Sequence, residues 1–257
     1  MLCEIINSVR SKRPLIHCIT NPISITRCAD TILSAGAKPI MAEHPKEVSE
    51  ITNGADALVL NLGNITDVRM EAMLVSAKTA SENNIPFVVD AVGVGCSKLR
   101  RNYIKKLLEY SPTVIKGNYS EIMALCDDEY KTSGVDAEFS DIDCIKEFAK
   151  SLAQKYNCII LASGKTDVVT DGIDIFNVRN GTCQLANITG TGCMLGALCG
   201  CYISASSDIF GVLTACGVLG ISGERAETIA GNGAFAVRLI DELSANFKEE
   251  EFKIEKL

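Results

Sequence analysis

The groups in this chain best suited to chemistry are two carboxylates, Asp90 and Glu121, one lysine, Lys116, and a glycine-rich turn, Asn187-Ile188-Thr189-Gly190-Thr191-Gly192-Cys193. The turn runs directly into an apolar, helix-like stretch over residues 194–202. A helix N-terminus leaves backbone N–H groups without intrahelical partners and carries partial positive charge, so it receives anions such as phosphate. Glycines let a ligand come close to the backbone. Cys193 falls in the expected first helical turn, where the same field should lower the pKa of a thiol and hold it partly as thiolate near neutral pH. From spacing alone, the stretch reads equally well as a plain turn capping a buried helix.

The elements that must position these residues are strand-like runs, each followed by a helical pattern. The runs cover residues 15–19, 38–42, 57–61, 86–90, 113–116 and 158–162, and segments 167–170 and 173–178 flank a hairpin-type turn at Asp171-Gly172. Such alternation with near-continuous apolar strands predicts an α/β fold, a mostly parallel sheet covered by helices on both faces. With no internal repeat and no linker, residues 1–257 read as one domain, whose most polar connection, 127–143, is expected to be an acidic loop or lid.

Ligands of open parallel sheets bind outside the carboxyl ends of the strands. Those ends carry Asn21, Met41, Asn61, Asp90, Lys116 (with Asn118 and Glu121 just beyond) and Ser163. Acids for a divalent cation, a cation for phosphate and N–H groups for developing charge form the inventory of phosphoryl transfer. Each residue also has a plain structural reading: Asp90 as a turn cap, Glu121 as a helix first-turn acid, Lys116 as a surface lysine, Met41 as core. His17 reads as a satisfied core histidine and His44 as a loop residue.

Other classes are disfavoured. A formal net charge of −7 without a basic cluster does not suit a nucleic-acid binder. Gly93-Val94-Gly95 follows a strand, but a dinucleotide fingerprint would need glycine where Lys98 stands; Gly164-Lys165-Thr166 has the tail of a phosphate-binding P-loop, but Ile159 occupies the position of its first glycine. The twelve cysteines contain no C-x-x-C pair, and most lie in apolar runs, as small hydrophobes do. The N-terminal residues lack a basic leader and an apolar core of signal-peptide type, so a reducing cytoplasm is expected. Residues 194–221 are interrupted at 204–208 and read as two buried helices. Gly192, Gly196 and Gly200 recur four apart on the first of them, a bare face for close packing.

Six motifs in order then carry a resemblance: Ile19-Thr20-Asn21; Pro39-Ile40-Met41-Ala42; Asn61-Leu62-Gly63; Val89-Asp90-Ala91-Val92-Gly93; Ile115-Lys116-Gly117-Asn118 with Ser120-Glu121; and Thr189-Gly190-Thr191-Gly192-Cys193. Over residues 14–240 the chain resembles the hydroxyethylthiazole kinases, thiamine-salvage enzymes of the ribokinase-like superfamily; cysteine at the end of the last motif, where most of that superfamily has aspartate, is the specific part. The resemblance implies a ribokinase-like fold and phosphorylation of the primary alcohol of 4-methyl-5-(2-hydroxyethyl)thiazole by ATP with Mg²⁺. It also implies a homotrimer with active sites between subunits. Met41, Gly190 and Asn21 would contact the thiazole; Lys116, Ser163, Thr191 and Gly192 would contact ATP; Asp90 and Glu121 would hold Mg²⁺ and phosphates; Cys193 would sit at the transferring oxygen. The family usually has Arg where Lys116 stands, which loses a bidentate fork, Pro where Ala91 stands, and Thr where Ser163 stands. The alternatives are a related kinase of hydroxymethylpyrimidine or a sugar, an ATP- or ADP-dependent dehydratase of hydrated NAD(P)H, and a nucleotide-binding oligomer without activity.

Overall fold

Apolar residues at helical spacing start the chain: Leu2, Ile5, Ile6 and Val9 form the buried stripe of helix α1 (Leu2–Lys12), which Arg13 ends in a left-handed conformation before Pro14. The computed structural model describes residues 1–126 and 142–257, so the stretch expected to form an acidic loop or lid lies outside the described residues up to position 141. The order continues β1 (Leu15–Ile19), α2 (Ile25–Ser34), β2 (Lys38–Ile40), α3 (Val48–Asn53), β3 (Ala57–Asn61), α4 (Asp67–Glu82), β4 (Phe87–Asp90), α5 (Lys98–Leu108), β5 (Val114–Asn118) and α6 (Tyr119–Cys126). It resumes with α7 (Ile142–Tyr156), β6 (Ile159–Ser163), β7 (Asp167–Thr170), β8 (Ile175–Val178), a 3-10 turn (Cys183–Asn187), α8 (Thr191–Ile203), α9 (Ile209–Ala226), α10 (Asn232–Leu243) and β9 (Ile254–Lys256).

Among the described residues the strands form one sheet in the order β2-β1-β3-β4-β5-β6-β7-β8-β9. Pairing is parallel from β2 through β6 and antiparallel from β6 through β9, and the hairpin turns at Gly172 with φ 90°. The closing strand is a departure from the sequence, whose pattern from Gly192 onward is almost wholly helical. Ile254-Glu255-Lys256 is short and charged, and it is a strand because it pairs with Phe176, Asn177 and Val178 far back in the chain.

Side chains alternate across a strand, and the sheet therefore separates two cores. On one face Val59, Val88, Val114 and Leu161 pack under α1, α2, α8, α9 and α10. On the other Leu58, Leu60, Phe87, Val89, Ile115 and Ile160 pack under α4, α5 and α7. The same period carries Asn61, Asp90, Lys116 and Ser163 onto the α8 face, two residues beyond Val59, Val88, Val114 and Leu161. α9 has the length and apolarity of a membrane-crossing helix, but it is a core element with most of its residues buried in the fold.

Candidate active site

Register makes the site's floor. Asn61 pairs with Asp90 across β3 and β4, and Asp90 with Lys116 across β4 and β5, so three polar residues form one row at the strand ends. The roof is α8, whose glycines bring it down onto that row. A Cβ on Gly192 would stand 3.7 Å from Lys116 Nζ, one on Gly196 would stand 3.3 Å from Asp90 Oδ2, and one on Gly200 would collide with Val59 Cγ2. The face expected to be a packing feature therefore packs directly on the charged residues.

α8 begins at Gly190 in the left-handed conformation (φ 94°), where a side chain would be strained and would meet Ser24 Cβ at 3.1 Å. The first helical bond runs from Met194 N–H to Gly190 O at 2.8 Å, so the N–H groups of Thr191, Gly192 and Cys193 have no intrahelical acceptor. No side chain caps them. The Thr191 hydroxyl is turned away, donating to Leu185 O at 3.0 Å and Ile188 O at 3.3 Å. The result is a set of donors above a buried cation, a receptor for an anion.

Lys116 Nζ donates to Asp90 Oδ1 at 2.9 Å, both side chains being almost wholly buried. Burial pulls the ammonium down, but the Asp90 and Glu121 carboxylates outweigh it and hold the lysine charged. Burial likewise pushes the Asp90 carboxyl up against the pull of Lys116 and Asn61. Glu121 accepts the Gly93 N–H (2.8 Å) and the Asn118 N–H (2.8 Å), so it ties the loop after β4 to the start of α6; burial and then Asp90 push its carboxyl up. Asp90 and Glu121 thus face one buried ammonium. Among the described residues no three carboxylate, histidine or cysteine side chains converge into a closed metal cage. Carboxylate oxygens are the donors of a hard divalent cation that keeps waters and shares phosphate oxygens; Asp90 and Glu121 have that chemistry, through the second lone pairs of oxygens that already accept from Lys116, Asn61 and the Gly93 and Asn118 N–H groups.

Cys193, half-buried, receives N–H donors from Asn21 and Asn61 at 3.4 Å each. Its thiol departs from the sequence expectation. Burial first and the neighbouring Asp90 charge second push its pKa up, outweighing Ser24 and Lys116, so the thiol is neutral where a thiolate was expected. The helix field acts alone in a sequence argument; the desolvation and the nearby carboxylate are tertiary.

The remaining predicted residues frame this centre. Asn21 follows β1, with Oδ1 accepting Ser24 N–H at 3.1 Å and Nδ2 turned to Asn61 and Cys193, so its amide is engaged within the protein. Met41 follows β2 and packs on the core of the α8 face; its neighbour Ala42 is held by His17, whose Nε2 reaches Ala42 O and whose Nδ1 reaches the Thr52 hydroxyl, both at 2.9 Å. His17 is the core histidine expected. Ser163 pairs with Asn118 across β5 and β6 and donates to Gly117 O at 3.3 Å. The Tyr119 ring covers Gly164 and its hydroxyl donates to Thr166 O, which walls that side. Asn61 stands among the strand ends in sequence but carries no assigned role there; its signal was the alignment of Asn61, Asp90 and Lys116 at equal depth in three consecutive strands.

A parallel sheet with one antiparallel edge, helices on both faces and a glycine-rich helix start over the strand ends define a ribokinase-like kinase fold. Fold-level likeness extends to the pyridoxal kinase of Staphylococcus aureus in complex with AMP-PCP, at a TM-score of 0.69 and 16% identity over 95% of this chain and 97% of that one. Closer matches narrow the class. The model of the hydroxyethylthiazole kinase family matches residues 6–249. Hydroxyethylthiazole kinase 2 of Clostridium botulinum (strain Okra) is 48% identical over 247 residues, 93% of each chain. The structure of a hydroxyethylthiazole kinase protein from Pyrococcus horikoshii OT3 superposes with a TM-score of 0.92 at 31% identity, covering 100% of this chain and 98% of that one. The chain belongs to the hydroxyethylthiazole kinase family.

Proposed function

We propose that this chain, as one kinase domain over residues 1–257, transfers the γ-phosphoryl group of ATP to the hydroxyl of 4-methyl-5-(2-hydroxyethyl)thiazole in thiamine salvage. The observation that carries the reading, beside family membership, is the uncapped start of α8 held over the Asn61–Asp90–Lys116 row with Cys193 in its first turn. The N–H groups of Thr191, Gly192 and Cys193 bind the phosphoryl oxygens and receive charge as it develops. Lys116, charged and close under Gly192, adds an electrostatic pull that spreads over the phosphates without a bidentate fork. Ser163 lies at the nucleotide side, and Met41 and Gly190 border the alcohol. Asp90 and Glu121 would hold Mg²⁺, which supplies charge neutralisation at the phosphates when bound.

Cys193 contacts the substrate hydroxyl and aligns it. Because its thiol is neutral, proton removal is a late and modest contribution, and most of the acceleration comes from positioning and from the α8 donors, as a loose phosphoryl-transfer transition state allows. Twelve cysteines with no disulfide among the described residues suit a reducing cytoplasm. A homotrimer in which a neighbour closes the site follows from the family resemblance, and exposed Ile23, two residues from Asn21, and exposed Ile229, next to Thr228 whose N–H is held by Gln184 of the 3-10 turn, are apolar residues such a neighbour could cover. The deciding experiment is ATP consumption with the thiazole alcohol, with and without Mg²⁺. Mg²⁺-dependent turnover is expected; absence of turnover with both substrates present sinks the reading. Light scattering checks the threefold mass.

A further inference from the structure

Asn61 ends β3 between the two groups whose separation matters most at this site. Its Nδ2 donates to Asp90 Oδ2 at 2.7 Å and to Cys193 Sγ at 3.4 Å, while its Oδ1 accepts the Gly63 N–H at 2.9 Å and Asn21 Nδ2 at 3.3 Å. The amide has one possible orientation. A backbone N–H only donates and an ionised carboxylate only accepts, so Oδ1 must face Gly63 and Nδ2 must face Asp90. Asn21 is locked the same way by the Ser24 N–H on its Oδ1, which commits its Nδ2 to Asn61 and Cys193. The sulfur therefore meets two N–H donors from fixed directions, and an amide stands between it and Asp90. Gly63 shows how tightly this is packed: a Cβ there would stand 2.8 Å from both Asn21 Nδ2 and Asn61 Oδ1. Buried amides with every polar group used specify one geometry, because any other leaves a desolvated group unpaired.

We propose that Asn61 is a positioning residue of the reaction: its one amide sets the distance between the Cys193 sulfur and the Asp90 carboxylate and, with Asn21, aims the sulfur at the substrate hydroxyl. The inference rests on the kinase reading above and adds to it a residue that touches neither substrate.

A double-mutant cycle on the purified full chain tests it, with kcat and KM measured for wild type, Asn61→Ala, Cys193→Ala and the double variant. Asn61→Ala is expected to lower kcat by about 10–100-fold, since small misplacements at a reacting centre are costly, with each KM changed by less than about threefold. In the Cys193→Ala background the same change should cost less than about threefold, because residues acting as one unit are not additive. Equal losses in both backgrounds overturn the inference, as does an unchanged kcat in Asn61→Ala. Should Asn61→Ala fail to give a cooperative melt, Asn61→Ser, which keeps a hydroxyl near the Gly63 N–H but lacks the Nδ2 that reaches the sulfur, is read in the same cycle with the same outcomes. Turnover in the wild type with an additive cycle defeats the inference alone. Absence of wild-type turnover defeats the kinase reading and the inference with it.

Discussion

α8 and α9 follow one another, are both apolar and buried, and lie on the same face of the sheet, yet they begin in opposite ways. α9 starts at Asp208, whose carboxylate accepts the N–H groups of Phe210 (3.0 Å) and Gly211 (3.4 Å). α8 starts at Gly190, with no side chain on its first donors and a left-handed backbone. A cap is worth about 1 kcal/mol, and α8 forgoes it at the one end that overlooks Asp90 and Lys116. Stability is built into one helix start, and the other keeps its first N–H donors uncapped.

Several substitutions separate the two. Cys193→Ala in the first turn of α8 is expected to lower kcat by about 10²-fold through loss of the alignment of the substrate hydroxyl, while Cys193→Asp retains turnover; near-wild-type rates for both in an ATP-turnover assay would remove Cys193 from the chemistry. Next in size is Lys116→Met, which leaves Asp90 buried without its cation and should cost about 3–5 kcal/mol in chemical denaturation. Adding Asp90→Asn should restore much of that stability without restoring turnover, and a double variant as unstable as the single would mean that the pair is not coupled. Asp208→Ala should cost about 1 kcal/mol and leave kcat unchanged; a large loss of kcat there would show that the α9 start also serves the site.

The smallest effect is a pH dependence. Burial lowers the pKa of His17, although Ala42 O and Glu47 oppose it. The unfolded chain therefore takes up this proton first, so the histidine's contribution is complete above about pH 6.5 and is lost as pH falls below it. Comparing wild type with His17→Gln in melts from neutral to acidic pH should show the wild type losing more stability. Parallel curves would contradict this.

Much of this contrast was legible in the sequence, because it depends on local signals. Near-continuous apolar runs, each followed by a helical pattern, placed β1 through β6, and with them the depth of Asn61, Asp90, Lys116 and Ser163; the glycine turn placed the start of α8. Three features were not legible, each for the same reason. The direction of the Cys193 pKa depends on burial and on Asp90, the hydrogen bonding of Asn61 on Asn21, Asp90 and Cys193 from three separate segments, and β9 on a strand far away in sequence. Charge and hydrogen-bond balance at a site are sums over neighbours that only the fold brings together.

The bare face of α8 also makes the helix a lever. Its far end is seated on Ile16 and Val59 at Gly200, its middle on Asp90 at Gly196, and its near end carries the uncapped turn over Lys116 at Gly192. A single methyl group added at Gly200, two helical turns from Gly192, would lift the helix at its heel and tilt the turn relative to the strand ends. Lesions along this stripe should then surface as slow enzymes that still bind their substrates, and the height of the roof above the floor, set remotely by a missing side chain, becomes a quantity on which selection can act separately from the residues that do the chemistry.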